Sequence, residues 1–561
     1  MTKRIACIVL AVLLLIITGC QQAPIDSDNP ADEATSKPVE QSPSSDTPSE
    51  EESPFNPGGV FPISKETVPL TIAMAENAKV EDFETNMQTL MLEEYGNFDL
   101  SFELYPSADY ATKINLMVSS GGDDLADIII GGFGDATVFS FAQDGAIIPL
   151  TEYYNDPDAA FYIDEAIART GVDYLKMVTS PDGELYGVPA YNQSLTNETG
   201  DKLWIYKPWL DALGLKIPTT PEELYNVFVA FRNDDPNGND KKDEVPLSGN
   251  AGAYGWFKVL MNPYIYAGDG DYFVVENGNV NVAYNTDEWR EGLQFVKKLF
   301  DGELISPLTL TQDDAQYKAM LQGETTIIGM FVGTPSFLDA ADERRVDYIG
   351  IPPLKGSNGT QYASYIPQVA NITFMVSKNC DNPEAAFRLG GLLSSEELSI
   401  HTRWGEKDVD WAEAGPNDKG MYEQLGYPAV LKIINDVWSN IQNKHWFQAG
   451  PYVRQYSLAL GLVSEDNPLE TMARIATIQA EYTDKIPEER MDKLIYTAEE
   501  SDLVTETITN LNTYVNESIA LFVTGGKDLN SDWDSYLKEL DTIGLKVVIE
   551  TVQTVNDRMY K

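Results

Sequence analysis

The chain has 561 residues, of which 39 are basic and 88 acidic, a formal charge of −49. So acidic a balance excludes nucleic acid as a partner, because phosphate binding needs clustered Lys and Arg. It suits solubility at a cell surface and identifies no ligand by itself. The length accommodates two domains.

The first elements are an address. Lys3 and Arg4 precede an apolar run over residues 5–18, shorter than the ~20 residues that span a bilayer. Ile17-Thr18-Gly19-Cys20 follows and resembles a bacterial lipobox. This predicts a signal peptide over 1–19, lipid on Cys20, and anchoring on the extracellular face of the cell membrane; a diacylglycerol plus an acylated amine supplies at least two chains, enough for stable attachment. Cys7 would leave with the signal peptide, so Cys380 alone remains free and no disulfide can form within the mature chain. Its loop setting, with no histidine nearby in sequence, favours a half-buried structural thiol. Residues 20–66 are rich in Pro, Ser, Asp and Glu. They are predicted to be a disordered tether, unable to bury enough surface to offset ordering entropy.

The body then alternates strand and helix. Residues 69–74 read as an apolar strand. Residues 83–94 have helical spacing, with Met87, Leu90 and Met91 on one side. Residues 100–105 alternate as a half-buried strand, 110–119 form a helix, and 125–130 form an apolar strand. This is the pattern of βαβ units on a parallel sheet. The last strand opens into Gly131-Gly132-Phe133-Gly134-Asp135. The third glycine of a dinucleotide fingerprint would fall on Thr137, so nucleotide binding is not expected. The loop reads instead as a carboxyl-end loop presenting N–H groups to a ligand. A second α/β body begins near residue 186, with a strand at 203–206 and a helix at 209–213 stopped by Gly214. Thr220 is a helix N-cap, with Pro221 at the first position and Glu223 closing a capping box. Short strands follow at 326–331 and 348–351, and beyond Asn379 the pattern is mainly helical.

Asp235-Pro236-Asn237-Gly238-Asn239-Asp240-Lys241-Lys242-Asp243-Glu244 carries the sharpest chemistry. Side-chain oxygens at positions 1, 3 and 5 and a carbonyl at 7 match the supply that calcium, a hard cation, draws from a curled loop. The ligands would be Asp235, Asn237, Asn239, the carbonyl of Lys241, Asp243 and Glu244. Asp240 stands where glycine is usual and must turn left-handed. Pro246 occupies position 12, so Asp243 and Glu244 would close the shell. A closed shell implies structural Ca2+ rather than catalysis; the alternative is a solvated acidic turn.

No catalytic set competes. His401 and His445 are the two histidines, and no zinc-protease, nucleophile-elbow or phosphate-loop motif occurs. The chain is therefore read as a non-enzyme.

Residues 145–150 (GAIIPL), 185–190 (LYGVPA), 203–224 (LWIYKPWLDALGLKIPTTPEEL) and 242–247 (KDEVPL), with Asn382-Pro383-Glu384-Ala385-Ala386, Arg403-Trp404-Gly405-Glu406 and residues 532–537 (DWDSYL), carry a family likeness. The chain resembles the extracellular solute-binding lipoproteins of ABC sugar importers. The likeness is to family 1, in its large Gram-positive branch, and is similar to calcium-containing alginate-type oligosaccharide-binding proteins. The resemblance implies an α/β, two-lobed, type II periplasmic-binding-protein fold with a hinge and an inter-lobe cleft. Lobe 1 would comprise 67–187 and 350–400, lobe 2 188–349 and 401–561. It implies a monomer that takes a carbohydrate, an oligosaccharide of neutral or acidic type, to permease and ATPase subunits. In the alginate-type relatives the equivalent loop holds calcium. Expected ligand contacts are Tyr191, Asn192, Trp256, Phe331, Arg403, Trp404, Trp446 and Arg454. Aromatic rings would stack on sugar faces, and the arginines could pair with a carboxylated sugar. The alternatives are a surface polysaccharide-degrading enzyme, a structural adhesin, or the same fold holding a peptide- or lipid-related ligand.

Overall fold

Six strands form the larger of two main sheets, in the order Val453–Arg454, Val188–Asn192, Asn371–Val376, Ile128–Ile130, Val68–Ala75, Phe98–Tyr105. All run parallel except Asn371–Val376, which is antiparallel to both neighbours. Both faces are covered, as parallel strands require. Ile128 and Ile130 enter one core with Leu70, Ile72 and Phe387, while Ile129 enters the other with Ala73, Phe141 and Met375. That split follows from the two-residue period of a strand.

The second sheet has four strands, in the order Tyr348–Ile351, Lys202–Tyr206, Ile328–Gly333, Val245–Leu247. Leu203 and Ile205 face a core shared with the helices Asp287–Asp301, Ala498–Thr524 and Leu545–Tyr560, through Leu293, Val515 and Val548. Trp204 and Phe331, paired in register, face the opposite core with Tyr348 and Tyr482.

The computed structural model describes residues 53–251, 255–268, 270–338, 342–464 and 471–561. Cys20 and the lipobox lie outside the described residues. No helix among those described is long and apolar enough to cross a membrane.

Several expectations need correction. Residues 53–66, assigned to the tether, are packed: Ile63 is buried in the large-sheet core, Phe61 stacks on Tyr95 at 4.5 Å, and Phe55 lies under Arg388. Their apolar side chains outweigh the polar composition around them. The lobe limits also move. Val188–Asn192 and Val453–Arg454 belong to the large sheet and Tyr348–Ile351 to the small one, because the chain crosses after completing each strand. The helix Glu396–Trp404 and Trp446 likewise pack with the large sheet, through Leu398 and Trp446 itself. Beyond Asn379 the chain is not uniformly helical, since Trp411–Glu413 and Leu431–Ile433 pair as short strands within long loops. The first helix runs Met87–Gly96, capped by Asn86, and buries Gln88, Thr89 and Leu92. Leu90 stays exposed. The cap shifts the start and rotates the face, and the buried polar pair is used: Trp446 donates its indole N–H to Thr89 Oγ1 and its backbone N–H to Gln88 Oε1. At Thr220 the cap forms as expected, but Glu223 Oε2 accepts from Thr219 N rather than closing back on Thr220.

Candidate functional site

Three connections join the two sheets: between Val188–Asn192 and Lys202–Tyr206, between Tyr348–Ile351 and Asn371–Val376, and after Val453–Arg454. One residue of the first gathers all three. The buried Glu198 carboxylate accepts from Gln368 Nε2 and Tyr456 Oη, and its carbonyl accepts from Ile366 N at 2.7 Å. Burial raises its pKa, opposed by these bonds and by Arg490.

Above the carboxyl ends of the parallel strands lies a cavity of about 570 Å3, lined by Gly132, Phe133, Gly134, Ala190, Asn192, Val369, Asn371, Thr373, Gln448 and Tyr452. Open α/β sheets present ligands there. The lining is dominated by small residues, amides and hydroxyls, with two aromatic rings. The Thr373 hydroxyl oxygen is buried without a hydrogen-bond partner among the described residues. Phe447 and Gln448 hold positive φ angles of 53° and 58°, a conformation that costs a non-glycine residue roughly 1–3 kcal/mol and clusters at functional sites. A second cavity, of about 480 Å3, shares Gly134 as a lining residue. Its walls are Asp135 and Phe139 on one side and Leu494, Tyr496 and Ser501 on the other. Lys493 bridges those walls, donating to Asp135 Oδ1 at 3.0 Å and to Ala370 O at 2.9 Å.

The residues expected to contact ligand divide into two groups. Asn192 lines the first cavity and accepts from Arg454 Nε at 2.7 Å. Arg403 donates from Nη1 to Gln448 Oε1 at 3.4 Å and stacks over Trp438 at 4.5 Å. Trp404 packs beneath Arg454, 5.8 Å from its guanidinium. Tyr191 points away from the cavity and stacks on Tyr174 at 5.0 Å in the core. Trp256, Phe331 and Trp446 are core residues of three separate clusters and do not line either cavity. Each is a large ring on a strand, helix or loop that faces inward. Phe133, Asn371, Thr373, Gln448 and Tyr452 were missed as individual residues, although the glycine loop around Phe133 pointed to this edge of the sheet.

The loop from Asp235 to Glu244 joins the helix Pro221–Asn233 to the edge strand Val245–Leu247. Its side chains turn inward. Asp235 accepts from Asn239 N and Asp240 N, Asn237 Oδ1 from Asn239 N, and Asn239 Oδ1 from Lys241 N at 2.8 Å. Asp240 takes the left-handed turn, φ 58°. Asn237 and Asn239 turn their amides onto Asp243. Glu244 is 4 % exposed, and its Oε1 is buried without a hydrogen-bond partner among the described residues. Burial raises its pKa, with Asp235 and Asp243 adding repulsion. Among the described residues no three Asp, Glu, His or Cys side chains stand as a preformed metal cage. The orphaned carboxylate oxygen and the hard-oxygen donor set nevertheless fit a calcium-type ion.

Cys380 is half-buried and free, its thiol pushed up to about 11 mainly by burial. That is the behaviour of a structural thiol.

Residues 76–398 match the family described as bacterial extracellular solute-binding protein. The fructooligosaccharide ABC transporter substrate-binding protein FusA of Streptococcus pneumoniae is 25 % identical over 524 residues, covering 89 % of this chain and 92 % of FusA. Among solved structures, an extracellular solute-binding protein from Bifidobacterium longum subsp. infantis superposes with a TM-score of 0.72 at 21 % identity, over 88 % of this chain and 99 % of that one. An EF-hand mutant of S. pneumoniae FusA in complex with fructo-nystose gives 0.65 at 22 % identity, over 87 % and 99 %.

Proposed function

Because this chain belongs to the bacterial extracellular solute-binding protein family, as the binding subunit of an ABC transporter, we propose that it captures an oligosaccharide between its two lobes. The observation that carries the sugar class is the cavity over the large sheet. Asn192, Asn371, Thr373, Gln448 and Tyr452 offer amides and hydroxyls suited to sugar hydroxyls, and Phe133 and Tyr452 offer ring faces. The adjoining second cavity extends the hollow toward the other lobe, which favours more than one sugar ring. The name of FusA, a fructooligosaccharide binder, points the same way.

In this reading the lobe of the six-stranded sheet orients the ligand and closure of the other lobe excludes water. The closed form then docks on permease and ATPase subunits. Cys20 carries the lipid that holds the protein, as a monomer, at the outer face of the membrane. Asp235, Asn237, Asn239, the Lys241 carbonyl, Asp243 and Glu244 hold calcium, which would supply a structural cross-link and no chemistry at the cleft. The EF-hand named for FusA supports this.

The test is thermal unfolding of the calcium-loaded, unlipidated body with inulin-type, neutral and acidic oligosaccharides. A ligand at about 100 times its Kd adds ~2.7 kcal/mol of stability, a clear rise in Tm without turnover. A shift with peptides and none with any saccharide would overturn the sugar assignment. Product formed from a polysaccharide would favour an enzyme instead.

A further inference from the structure

Two arginines stand behind the cavity over the large sheet without an acidic partner. Arg454 is half-buried, and its Nε is committed to Asn192 Oδ1, which lines the cavity. No described group accepts a hydrogen bond from either of its terminal amines. Arg403, from the helix Glu396–Trp404, is also half-buried. Its plane lies over Trp438, whose indole N–H returns to the Arg403 carbonyl at 2.7 Å, and its one side-chain bond is the long contact to the cavity residue Gln448. Neither forms an ion pair among the described residues, in a chain where acidic groups outnumber basic ones 88 to 39. Elsewhere Arg232, Arg344, Arg388 and Arg558 each hold a carboxylate, while Arg169, Arg290, Arg474 and Arg490 form no ion pair among the described residues and give a terminal amine to a backbone or amide carbonyl. The nearby acid that could serve Arg403, Asp436, is occupied by Trp438 N at 2.8 Å and by the Ser439 hydroxyl.

The two guanidiniums also repel. Burial first, and then Arg403, pulls the pKa of Arg454 down to about 10. Two like charges held together, half out of water, with free forked donors, are unfavourable until an oxyanion joins them. Arg403 is fixed by stacking and Arg454 by Asn192, so the pair is pre-oriented rather than mobile. Asn192 and Gln448, the polar residues that touch the arginines, are themselves cavity walls.

We infer that Arg403 and Arg454 form an oxyanion subsite of the cleft, so that the saccharide this protein takes carries a carboxylate or sulfate group. This rests on the oligosaccharide reading above. It deepens that reading by selecting the acidic class.

The experiment is calorimetric titration of the calcium-loaded body with a uronic acid trisaccharide, its methyl ester and a sulfated neutral trisaccharide. A wild-type preference of about tenfold or more for an anionic sugar over the ester is expected. Preference for the uronate identifies the carboxylate as the partner; preference for the sulfated sugar identifies the sulfate. In Arg403→Gln and Arg454→Gln the ratio should fall toward one. Arg403→Lys, which keeps charge but loses the fork, should fall between. The lysine variant also guards against a glutamine variant that does not fold. Equal affinity for uronate, ester and sulfated sugar, or a preference that survives both glutamine variants, overturns the subsite and leaves oligosaccharide capture standing. Absence of binding by every saccharide overturns both.

Discussion

His445 is fully buried, its ring 5.6 Å from Trp438 and 4.8 Å from Phe447, with Nδ1 accepting from Phe447 N at 3.0 Å. Burial, then repulsion by His401, pulls its pKa down to about 4, with Arg403 and Lys444 adding and Asp410 opposing. The native state therefore keeps the ring neutral through a range in which the unfolded chain, titrating near 6.5, takes up a proton. The stability this confers is full above pH 6.5 and is lost as pH falls toward 4. It is on the order of 3 kcal/mol. His445→Asn should lose less stability than wild type between pH 7 and 4.5, measured as urea midpoints; equal losses would show that this ring does not set the acid limb. At this scale the sequence was most informative about scarce residues. Arg403 and Arg454 stood out in an arginine-poor chain, and each bonds a residue of the cavity wall, Gln448 and Asn192, without lining the cavity itself. Tryptophans and phenylalanines did not discriminate, because Trp256, Phe331 and Trp446 have the same composition signal whether they face a sugar or a core. Gln448 and Thr373 carried no signal, since only the fold brings them from separate strands and loops to one wall.

Elements with strict spacing were legible, and those set by tertiary partners were not. The helix Tyr110–Ser119 and the strand Tyr348–Ile351 have the bounds that spacing gave them. The helix Met87–Gly96 does not, because its buried face is chosen by Trp446, more than three hundred residues away in sequence. The Asp235–Glu244 loop was legible as a curl, and Asp240 does adopt the left-handed turn. This loop fastens a helix C-terminus to the edge strand of the small sheet, so an ion held there would act on that lobe. Calcium at about 100 times its Kd should add ~2.7 kcal/mol, raising Tm relative to the same protein in chelator. Glu244→Ala, which removes the orphaned oxygen, should abolish the difference. A wild-type Tm that is the same in calcium and chelator would mean that the loop is an acidic turn.

Across the whole molecule, the length and the βαβ pattern indicated two α/β bodies, but not where the chain crosses between them. Crossing points depend on which sheet a short strand joins, and Val188–Asn192 and Tyr348–Ile351 have no local feature that decides it. The structure places Glu198 among the three crossings, tied to Gln368 of the second and Tyr456 of the third. A single acceptor shared by all the connections restrains how the lobes turn relative to each other. Glu198→Ala would leave the half-buried Tyr456 hydroxyl without its acceptor and Gln368 Nε2 with only its long contact to Tyr456 Oη at 3.4 Å, at a cost of about 1–3 kcal/mol. Glu198→Gln keeps one carbonyl oxygen and should lose less. If the shared carboxylate guides closure, the alanine variant should show a wider distribution of lobe separations by small-angle scattering, and weaker ligand binding, although neither cavity loses a lining residue. A competent closed state populated one-tenth as often lowers the apparent affinity about tenfold. Scattering and affinity indistinguishable from wild type would instead confine Glu198 to local packing, and the hinge would have to be sought in the backbone of the crossings themselves.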